Sequence, residues 1–291
     1  IDNNISSKHT HKYKEKNIRF YKKNIMKFNI TKKYDVIIFL AGIASPTIYK
    51  KYPLESLEVS YIGAKKFLEK SKKDNSSFIF FSSSEIYGNP DISNIPTKET
   101  YYGNVNSFGS RSCYDEGKRV GETLCYIYKN YLKTKVKILR PFNVFGPGMS
   151  KNDDRVIPRF IRALKNKKPL TIYNHGMQTR SFCYIIDAMV GFLKVISKGK
   201  NGEIYNVGND IEEVSMNKLA KTIKNISNIK NVKLKNISYP NFYPSNEPMR
   251  RCPDLKKIRK HVNFEPKINL KNSLKRFIEH YWKRKFYLNF L

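Results

Sequence analysis

Phe78-Ile-Phe-Phe81, which runs directly into Ser82-Ser-Ser-Glu-Ile-Tyr-Gly88, is the segment from which the architecture can be worked out. A short apolar, aromatic run predicts a buried strand, and a segment rich in hydroxyl groups follows it. In open parallel sheets, ligands bind outside the carboxyl ends of the strands. We therefore expect Ser83, Ser84 and Glu85 to lie at the ligand-binding edge of such a sheet.

Strands and helices alternate on both sides of this segment. Val36-Ile-Ile-Phe-Leu-Ala41 is a continuous apolar run, typical of a parallel strand covered on both faces. Val136-Lys-Ile-Leu139 predicts another strand, and helices are predicted over Tyr52–Lys73 and Cys113–Lys133. The alternation predicts an α/β protein with a doubly wound parallel sheet. Beyond Pro141 the predicted elements become shorter and more mixed, as expected of a second, smaller lobe.

Tyr114 and Lys118 lie four residues apart in Arg111-Ser-Cys-Tyr-Asp-Glu-Gly-Lys-Arg119. On a helix this spacing places both side chains on one face, one turn apart. A lysine ammonium near a phenol favours the phenolate, so such a tyrosine can act as a base nearer neutrality. The chain has 20 tyrosines, so the pair alone is weak evidence. Its place between two predicted strands and after Ser83 makes a catalytic site the better interpretation.

Four segments resemble the extended short-chain dehydrogenase/reductase family, the NAD-dependent nucleotide-sugar epimerases, dehydratases and decarboxylases. They are Ser83–Gly88, Tyr102–Asn106, Arg111–Arg119 and Gln178–Tyr184. The resemblance extends from Asp2 to about residue 277 and implies a Rossmann-like NAD-binding domain over residues 1–141. It also implies a mainly substrate-binding lobe over residues 142–291, with some segments returning to the main sheet.

The resemblance implies that the first strand, its glycine-rich phosphate loop and the first helix lie upstream of this sequence. Ile1-Asp2 resembles the end of the second Rossmann strand, where an acidic residue contacts the adenosine ribose, and Ile18–Tyr21 fits the third strand. Asn24 stands where the family often has an adenine-facing aspartate, and Ala41 would adjoin the cofactor. Because the pyrophosphate normally rests on the phosphate loop, this stretch alone is expected to bind NAD poorly.

The same resemblance assigns roles to the central residues. Tyr114 would be the catalytic base and acid, while Lys118 would lower the pKa of its phenol and hold the nicotinamide ribose. Ser83 would hydrogen-bond the C4 hydroxyl of the sugar. Ser84, a substrate-binding candidate, stands where the 4,6-dehydratases have an aspartate that protonates the leaving hydroxyl, and a serine is a poor general acid. With Glu85, also a catalytic candidate, the Ser-Ser-Glu pattern resembles the branch that decarboxylates UDP-glucuronate.

Three residues of the predicted lobe are candidates for binding the substrate. Asn143 would contact the sugar diphosphate. Arg180 and Arg251 would bind phosphate or carboxylate, because a guanidinium presents paired donors to oxyanions. No histidine is assigned a catalytic role.

These residues predict an NAD-dependent enzyme that acts on a nucleotide sugar, with a UDP sugar favoured, through a transient 4-ketone. Decarboxylation is the favoured reaction. A 4-epimerase or a 4,6-dehydratase would begin with the same oxidation, so both stay open. An alternative of another class is an inactive remnant or interaction subunit without the phosphate loop.

Composition limits the remaining classes. The formal net charge is +32, but the lysines are spread along the whole chain without a nucleic-acid-binding motif, so no nucleic-acid partner is expected. The sequence contains no run of about eighteen apolar residues, so no membrane span is predicted. The four cysteines lack metal-ligand spacing, and we expect reduced thiols, no metal and a cytoplasmic protein. Family resemblance further implies a homodimer, formed through the helices predicted over Tyr52–Lys73 and Cys113–Lys133. The sequence does not indicate the pathway, although polysaccharide biosynthesis fits.

Overall fold

A computed structural model describes residues 1–5, 16–150, 152–229, 231–240 and 248–282. The chain divides into two compact units. The first unit consists of residues 1–88, 105–140 and 195–205, and the second of residues 89–104, 141–194 and 206–291.

The described residues form strands and helices in a mixed order. The strands are β1 (Val36–Phe39), β2 (Ser77–Phe81), β3 (Lys135–Pro141), β4 (Val144–Phe145), β5 (Leu170–Tyr173), β6 (Thr179–Ser181), β7 (Cys183–Tyr184), β8 (Ile204–Val207), β9 (Glu213–Ser215), β10 (Leu234–Ile237) and β11 (Arg250–Arg251). The α-helices are α1 (Pro46–Lys51), α2 (Pro53–Glu58), α3 (Ala64–Asp74), α4 (Ser112–Asn130), α5 (Val156–Lys165), α6 (Ile185–Lys198), α7 (Met216–Ser227), α8 (Lys256–Val262) and α9 (Leu270–Trp282). A π-helical turn, Val59–Gly63, joins α2 to α3.

The first unit is built on a sheet of strand order β1-β2-β3-β8. β1, β2 and β3 are parallel, with Ile38 opposite Ile79 and Phe80 opposite Ile138. Ile138 donates its backbone N–H to the carbonyl of Glu203 at 3.0 Å, next to the start of β8. The α/β class and the parallel sheet expected from the sequence are confirmed.

Helices α3 and α4 cover one face of this sheet. Phe39, Phe78 and Phe80 form its aromatic centre, with ring centroids 5.9–6.5 Å apart. Leu68 of α3 and Cys125 of α4 are buried in the same core. Burying these side chains, each contributing about 1.5–3 kcal/mol, fixes α4 against β2 and so positions the segment that follows β2.

Two local expectations for the first unit were wrong. The apolar run Val36–Ala41 is not covered on both faces, because Val36 and Ile38 are each 44% exposed while their neighbours in β1 are buried. Ile18–Tyr21 forms no strand. A strand requires a paired neighbour, and among the described residues the pairing found here is one parallel bridge between Asp2 and Lys22.

The second unit combines small sheets with helices around a separate core. β10 pairs with β5, β4 pairs with β7, and β6 lies between β11 and β9. Helices α5, α7 and α9 contribute to the core. Among its buried members are Phe145, Phe160, Leu164, Ile172, Leu219 and Phe277.

Three further observations concern the cysteines, the hydropathy of the helices and possible metal ligands among the described residues. All four cysteines are free thiols, and Cys125 and Cys183 are among those that are buried. Within the described ranges, no helix is both long and apolar enough to span a bilayer. The same ranges contain no cluster of three or more His, Cys, Asp or Glu side chains suited to a metal ion.

Candidate active site

Tyr114 and Lys118 lie in the first turns of α4, on the face that packs against the rest of the first unit. Tyr114 is 6% exposed and Lys118 is 3% exposed. The Tyr114 ring stacks on Tyr49 of α1, with centroids 5.7 Å apart and planes 9° from parallel. The Lys118 Nζ lies 5.9 Å from the centroid of the Tyr114 ring. The structure therefore brings together the two residues that the spacing predicted to share a face.

Lys118 is fixed by a hydrogen bond as well as by burial. Its Nζ donates to the carbonyl oxygen of Phe81 at 2.8 Å and lies 5.2 Å from the centroid of the Phe80 ring. Burial lowers the pKa of Lys118 to about 8, and the nearby Glu122 carboxylate opposes that shift. The ammonium is therefore the major form at neutral pH, although it loses its proton far more readily than an exposed lysine.

Ser83 lies two residues beyond Phe81, in extended backbone and partly exposed. Its Oγ accepts a hydrogen bond from the backbone N–H of Glu85 at 3.2 Å. α4 and the residue before it contact the chain on both sides of Ser83, through Lys118 at Phe81 and through Arg111 at Glu85. The strand end that carries Ser83 is therefore tied to the turns of α4 that carry Tyr114 and Lys118.

Ser84 and Glu85 have different surroundings. Ser84 is buried. The Glu85 carboxylate accepts a hydrogen bond from Arg111 in a largely buried ion pair, and the Arg111 Nε lies 3.4 Å from Asp115. The sequence interpretation missed Arg111, although it stands immediately before α4. An arginine at a helix start gave no signal, since its partner Glu85 lies 26 residues away.

A second ion pair lies on the same side of α4. Glu122 accepts hydrogen bonds from Arg140, near the end of β3, and from the hydroxyl of Ser82. Glu122 follows Lys118 by four residues, so its position on the same helix face could have been recognised from the sequence. Its buried partners, Arg140 and Ser82, could not be recognised from the sequence.

The segment after β1 approaches Lys118 closely. A Cβ built on Gly42 would lie 2.9 Å from the Lys118 Nζ and 3.3 Å from its Cε. Ala41 is partly buried and packs against the core of the sheet. A larger residue in place of Gly42 would occupy the space that Lys118 uses.

Asp2 and Asn24 lie in a neighbouring part of the first unit. Asp2 pairs with the segment before Asn24, since the backbone N–H of Lys23 donates to its carbonyl at 3.1 Å. The Asp2 and Asn24 side chains accept backbone N–H groups from Asn4 at 2.7 Å and Met26 at 2.9 Å, respectively. Both therefore shape local turns, and their predicted contacts with adenosine stay predictions.

Arg180 and Arg251 lie opposite each other on neighbouring strands of the second unit. They are register partners on the parallel strands β6 and β11, so their side chains share one face, and both are buried. The Arg180 Nη1 donates to the carbonyl of Thr179 at 2.8 Å. Arg250 lies on the opposite face, where its Nε donates to Glu213 at 2.8 Å. Arginine is a residue type suited to binding an oxyanion, and the predicted substrate contacts of this pair stay predictions.

Asn143 lies in the second unit between β3 and β4, with a φ of 42°. Its Nδ2 donates to the Ser181 carbonyl at 3.1 Å, and its own carbonyl accepts the backbone N–H of Cys183 at 3.3 Å. It therefore joins β4 to the segment that follows Arg180.

The chain matches a family model over residues 2–208, that of the NAD dependent epimerase/dehydratase family. It is 37% identical to UDP-glucuronic acid decarboxylase 1 of Arabidopsis thaliana over 256 residues, which are 86% of this chain and 55% of that protein. UDP-glucuronic acid decarboxylase 3 of the same plant is 37% identical over 240 residues, covering 82% of this chain and 68% of that protein. The Bacillus cereus UDP-glucuronic acid 4-epimerase in complex with UDP-glucuronic acid and NAD superposes with a TM-score of 0.78 at 25% identity. That superposition covers 93% of this chain and 83% of the epimerase.

The chain belongs to the NAD dependent epimerase/dehydratase family. The resemblance found in Ser83–Gly88 and Arg111–Arg119 is thereby confirmed at the level of the family. The chain spans about half the length of the first curated relative that it matches.

Proposed function

We propose that this protein is an NAD-dependent decarboxylase of UDP-glucuronate that acts through a transient 4-keto sugar. The observation that carries the proposal is the attachment of α4 on both sides of Ser83, through Lys118 and Arg111. A hydroxyl at the strand end and a tyrosine–lysine pair on the helix are the groups that oxidation of a sugar hydroxyl requires. Relatives named as UDP-glucuronic acid decarboxylases support the choice of substrate.

Proton transfer in this proposal belongs to Tyr114. Its phenolate accepts the proton of the C4 hydroxyl, and Ser83 donates a hydrogen bond to the same oxygen as it becomes a ketone. The Lys118 ammonium stabilises the phenolate, because an opposite charge nearby favours the ionised form. Tyr114 later returns the proton when the C4 hydroxyl is formed again.

The residues of the first unit fit the cofactor that this chemistry needs. Gly42 leaves open the space beside the Lys118 ammonium, where the hydroxyls of a nicotinamide ribose would find a donor. NAD, when bound, would accept hydride from C4 and later return it. Ala41, Asp2 and Asn24 are the further candidates to hold it.

The loss of carbon dioxide follows from the chemistry of the substrate. A ketone at C4 is beta to the carboxylate on C5, so carbon dioxide can leave with its electrons delocalised into an enolate. A proton from water adds to C5 of the enolate, and restoration of the C4 hydroxyl with the proton returned by Tyr114 gives a pentose nucleotide. Glu85, held by Arg111, would keep a negative charge close to the site and help to position the strand end.

Substrate binding in this proposal involves the second unit. Arg180 and Arg251 would bind the diphosphate or the carboxylate, since their buried guanidinium groups share one face. Asn143 and Ser84 would add hydrogen bonds. A net positive chain would also attract a nucleotide diphosphate from solution.

The proposal includes a homodimer. Leu54 of α2 is 70% exposed, and Tyr61, Ile62 and Tyr126 also expose much of their side chains. A helical surface with this much apolar area is suited to a second copy of the chain. We also propose a cytoplasmic location, which four free thiols support, and a role in polysaccharide biosynthesis.

Product analysis tests the reaction. The natural protein containing this chain would be incubated with NAD⁺ and UDP-glucuronate, and in parallel with neutral UDP- and dTDP-hexoses, before mass spectrometry and proton NMR. Loss of carbon dioxide from UDP-glucuronate is expected. An unchanged mass with altered ring couplings would instead establish the 4-epimerase, which the Bacillus cereus structure keeps as the second candidate. Loss of water would establish a dehydratase, and no turnover of any sugar would favour an inactive protein.

A further inference from the structure

A buried polar cluster joins α4 to the ends of two strands in the first unit. The Glu122 carboxylate accepts hydrogen bonds from the Arg140 Nε at 2.9 Å and from its Nη2 at 2.6 Å. The Ser82 hydroxyl donates to the same carboxylate. The Arg140 Nη1 donates to the Tyr87 hydroxyl at 2.6 Å, and the guanidinium carbon lies 4.8 Å from the centroid of that ring.

Two members of the cluster, Ser82 and Tyr87, adjoin residues of the candidate site in the chain. Ser82 lies between Phe81, whose carbonyl holds Lys118, and Ser83. Its backbone N–H donates to the carbonyl of Leu139 at 2.8 Å, which links the ends of β2 and β3. Tyr87 ends the short helical turn that contains Ser84 and Glu85. A shift of the Glu122 carboxylate would therefore be transmitted to both flanks of Ser83.

Stability alone does not account for this cluster. Replacing a buried ion pair by apolar side chains of similar volume is often neutral or stabilising, whereas removing one partner is costly. Glu122 also lies one helical turn after Lys118, and its charge opposes the effect of burial on that ammonium. The Glu122 carboxylate can therefore affect the proposed catalytic residues in two ways. It is linked to the segments on both sides of Ser83, and its charge favours the protonated form of Lys118.

We propose that Glu122 is a positioning residue for the reaction, which acts through Ser82 and Arg140 to fix Ser83 and the carbonyl that holds Lys118. This inference rests on the proposed function of Tyr114, Lys118 and Ser83. The carboxylate also keeps Lys118 charged, so that the ammonium persists at neutral pH in a buried position.

Other charged and titratable groups lie on the elements that pack near Lys118 and the cluster. Tyr114 lies on the same helix, and Tyr49 of α1 stacks on the Tyr114 ring. Arg140 reaches the cluster from β3, and Tyr87 from the turn after β2. Of these groups, Glu122 is the acidic one that raises the pKa of Lys118.

The substitution Glu122→Gln tests the inference, because the amide retains the shape and removes the charge. In the natural protein, we expect kcat at neutral pH to fall about tenfold or more while the KM of UDP-glucuronate changes little. The pKa of Lys118 should fall, so the pH at which activity is lost on the alkaline side should drop by about one unit. An unchanged alkaline limit together with an unchanged kcat would overturn the inference.

Asp74→Asn provides the matched control. Asp74 pairs with Lys70 at 2.8 Å in α3 of the same unit, and this side chain is as well buried as that of Glu122. The control variant should lose stability without moving the alkaline limit. A shift of the same size in both variants would mean that loss of a buried charge, and not the position of Glu122, causes it.

A measurement independent of turnover separates this inference from the proposed function. The pKa of Lys118 is about 8 in the folded chain, and the reference value is 10.5. Between these two pH values the unfolded chain holds a proton that the folded chain has lost, so the free energy of unfolding rises with pH across that window. Comparison with Lys118→Met isolates this contribution in thermal unfolding. In Glu122→Gln the rise should begin at lower pH, even if no sugar is turned over. If it begins at the wild-type pH, Glu122 does not control the charge of Lys118.

Discussion

Replacement of Gly42 by alanine should damage the proposed catalytic centre while leaving the fold intact. The new Cβ would lie 2.9 Å from the Lys118 Nζ, whereas ordinary van der Waals separation is about 3.5 Å. The end of a lysine side chain is flexible, so Nζ would retreat by roughly 0.5 Å instead of the backbone yielding. Its hydrogen bond to Phe81, now 2.8 Å, would then approach the limit of a useful bond.

The expected loss follows from the energy of that bond. A hydrogen bond to a charged group contributes about 1.5–3 kcal/mol, and losing half of it costs about 1 kcal/mol. Displacement of the ammonium from Tyr114 adds to this loss, so we expect kcat/KM for UDP-glucuronate to fall about tenfold. The melting temperature should change little. Steady-state kinetics with saturating NAD⁺ and thermal unfolding would measure both quantities.

Gly117→Ala is the matched control for this substitution. A Cβ on Gly117 would meet its nearest neighbours at 3.5 Å, an ordinary contact, although it lies in α4 between Tyr114 and Lys118. Alanine at this helical position should stabilise the chain by about 0.5–1 kcal/mol without lowering kcat/KM. Wild-type kinetics for Gly42→Ala would refute the reasoning, because Lys118 would then not need its observed position. A large fall in its melting temperature would show that the backbone, and not the lysine, had moved.

Three further predictions follow from the same structure. Tyr114→Phe keeps the ring that stacks on Tyr49 but removes the proton-accepting oxygen. Turnover should therefore fall about 10²–10⁴-fold in a steady-state assay, while the melting temperature stays close to that of the wild type. Turnover within threefold of the wild type would exclude Tyr114 as the base. Arg251→Lys replaces the paired donors of a planar guanidinium by a single ammonium on the strand beside Arg180. The KM of the nucleotide sugar should rise about tenfold, with a smaller change in kcat. An unaltered KM would exclude Arg251 from the substrate site. Gly121→Ala places a Cβ 2.2 Å from the Phe80 Cζ in a fully buried contact. Urea unfolding should therefore show a decrease of about 1–3 kcal/mol in the free energy of unfolding. A variant as stable as the wild type would mean that α4 can move away from β2 at little cost.

Much of the sheet unit could be predicted because its signals are local. The buried run Phe78–Phe81 and the strand Val136–Leu139 appear within one or two residues of the predicted positions, as β2 and β3. The helix predicted over Tyr52–Lys73 is present as α2, a π-helical turn and α3. These elements follow from side-chain periodicity, which the backbone imposes without reference to the rest of the chain.

The failures at Ile18–Tyr21 and in β1 share a physical cause. Whether a strand forms, and whether an apolar face is covered, depends on neighbours that the segment does not contain. Ile18–Tyr21 has β-type residues but no ladder, and Val36 and Ile38 remain substantially exposed. Apolar character alone therefore did not predict the environment of these side chains.

For the candidate site, the amino-acid sequence was enough to identify Tyr114 and Lys118 as one helical face, and Ser83 as the residue after a buried strand. These relations depend on a helical turn and on the end of a strand, both of which are local. The partners that set their chemistry were not predictable. Arg111 reaches Glu85 across 26 residues, and Arg140 reaches Glu122 across 18. Burial and paired charges come from chain segments distant in sequence, so the lowered pKa of Lys118 and the anchoring of Ser83 arise from tertiary packing alone.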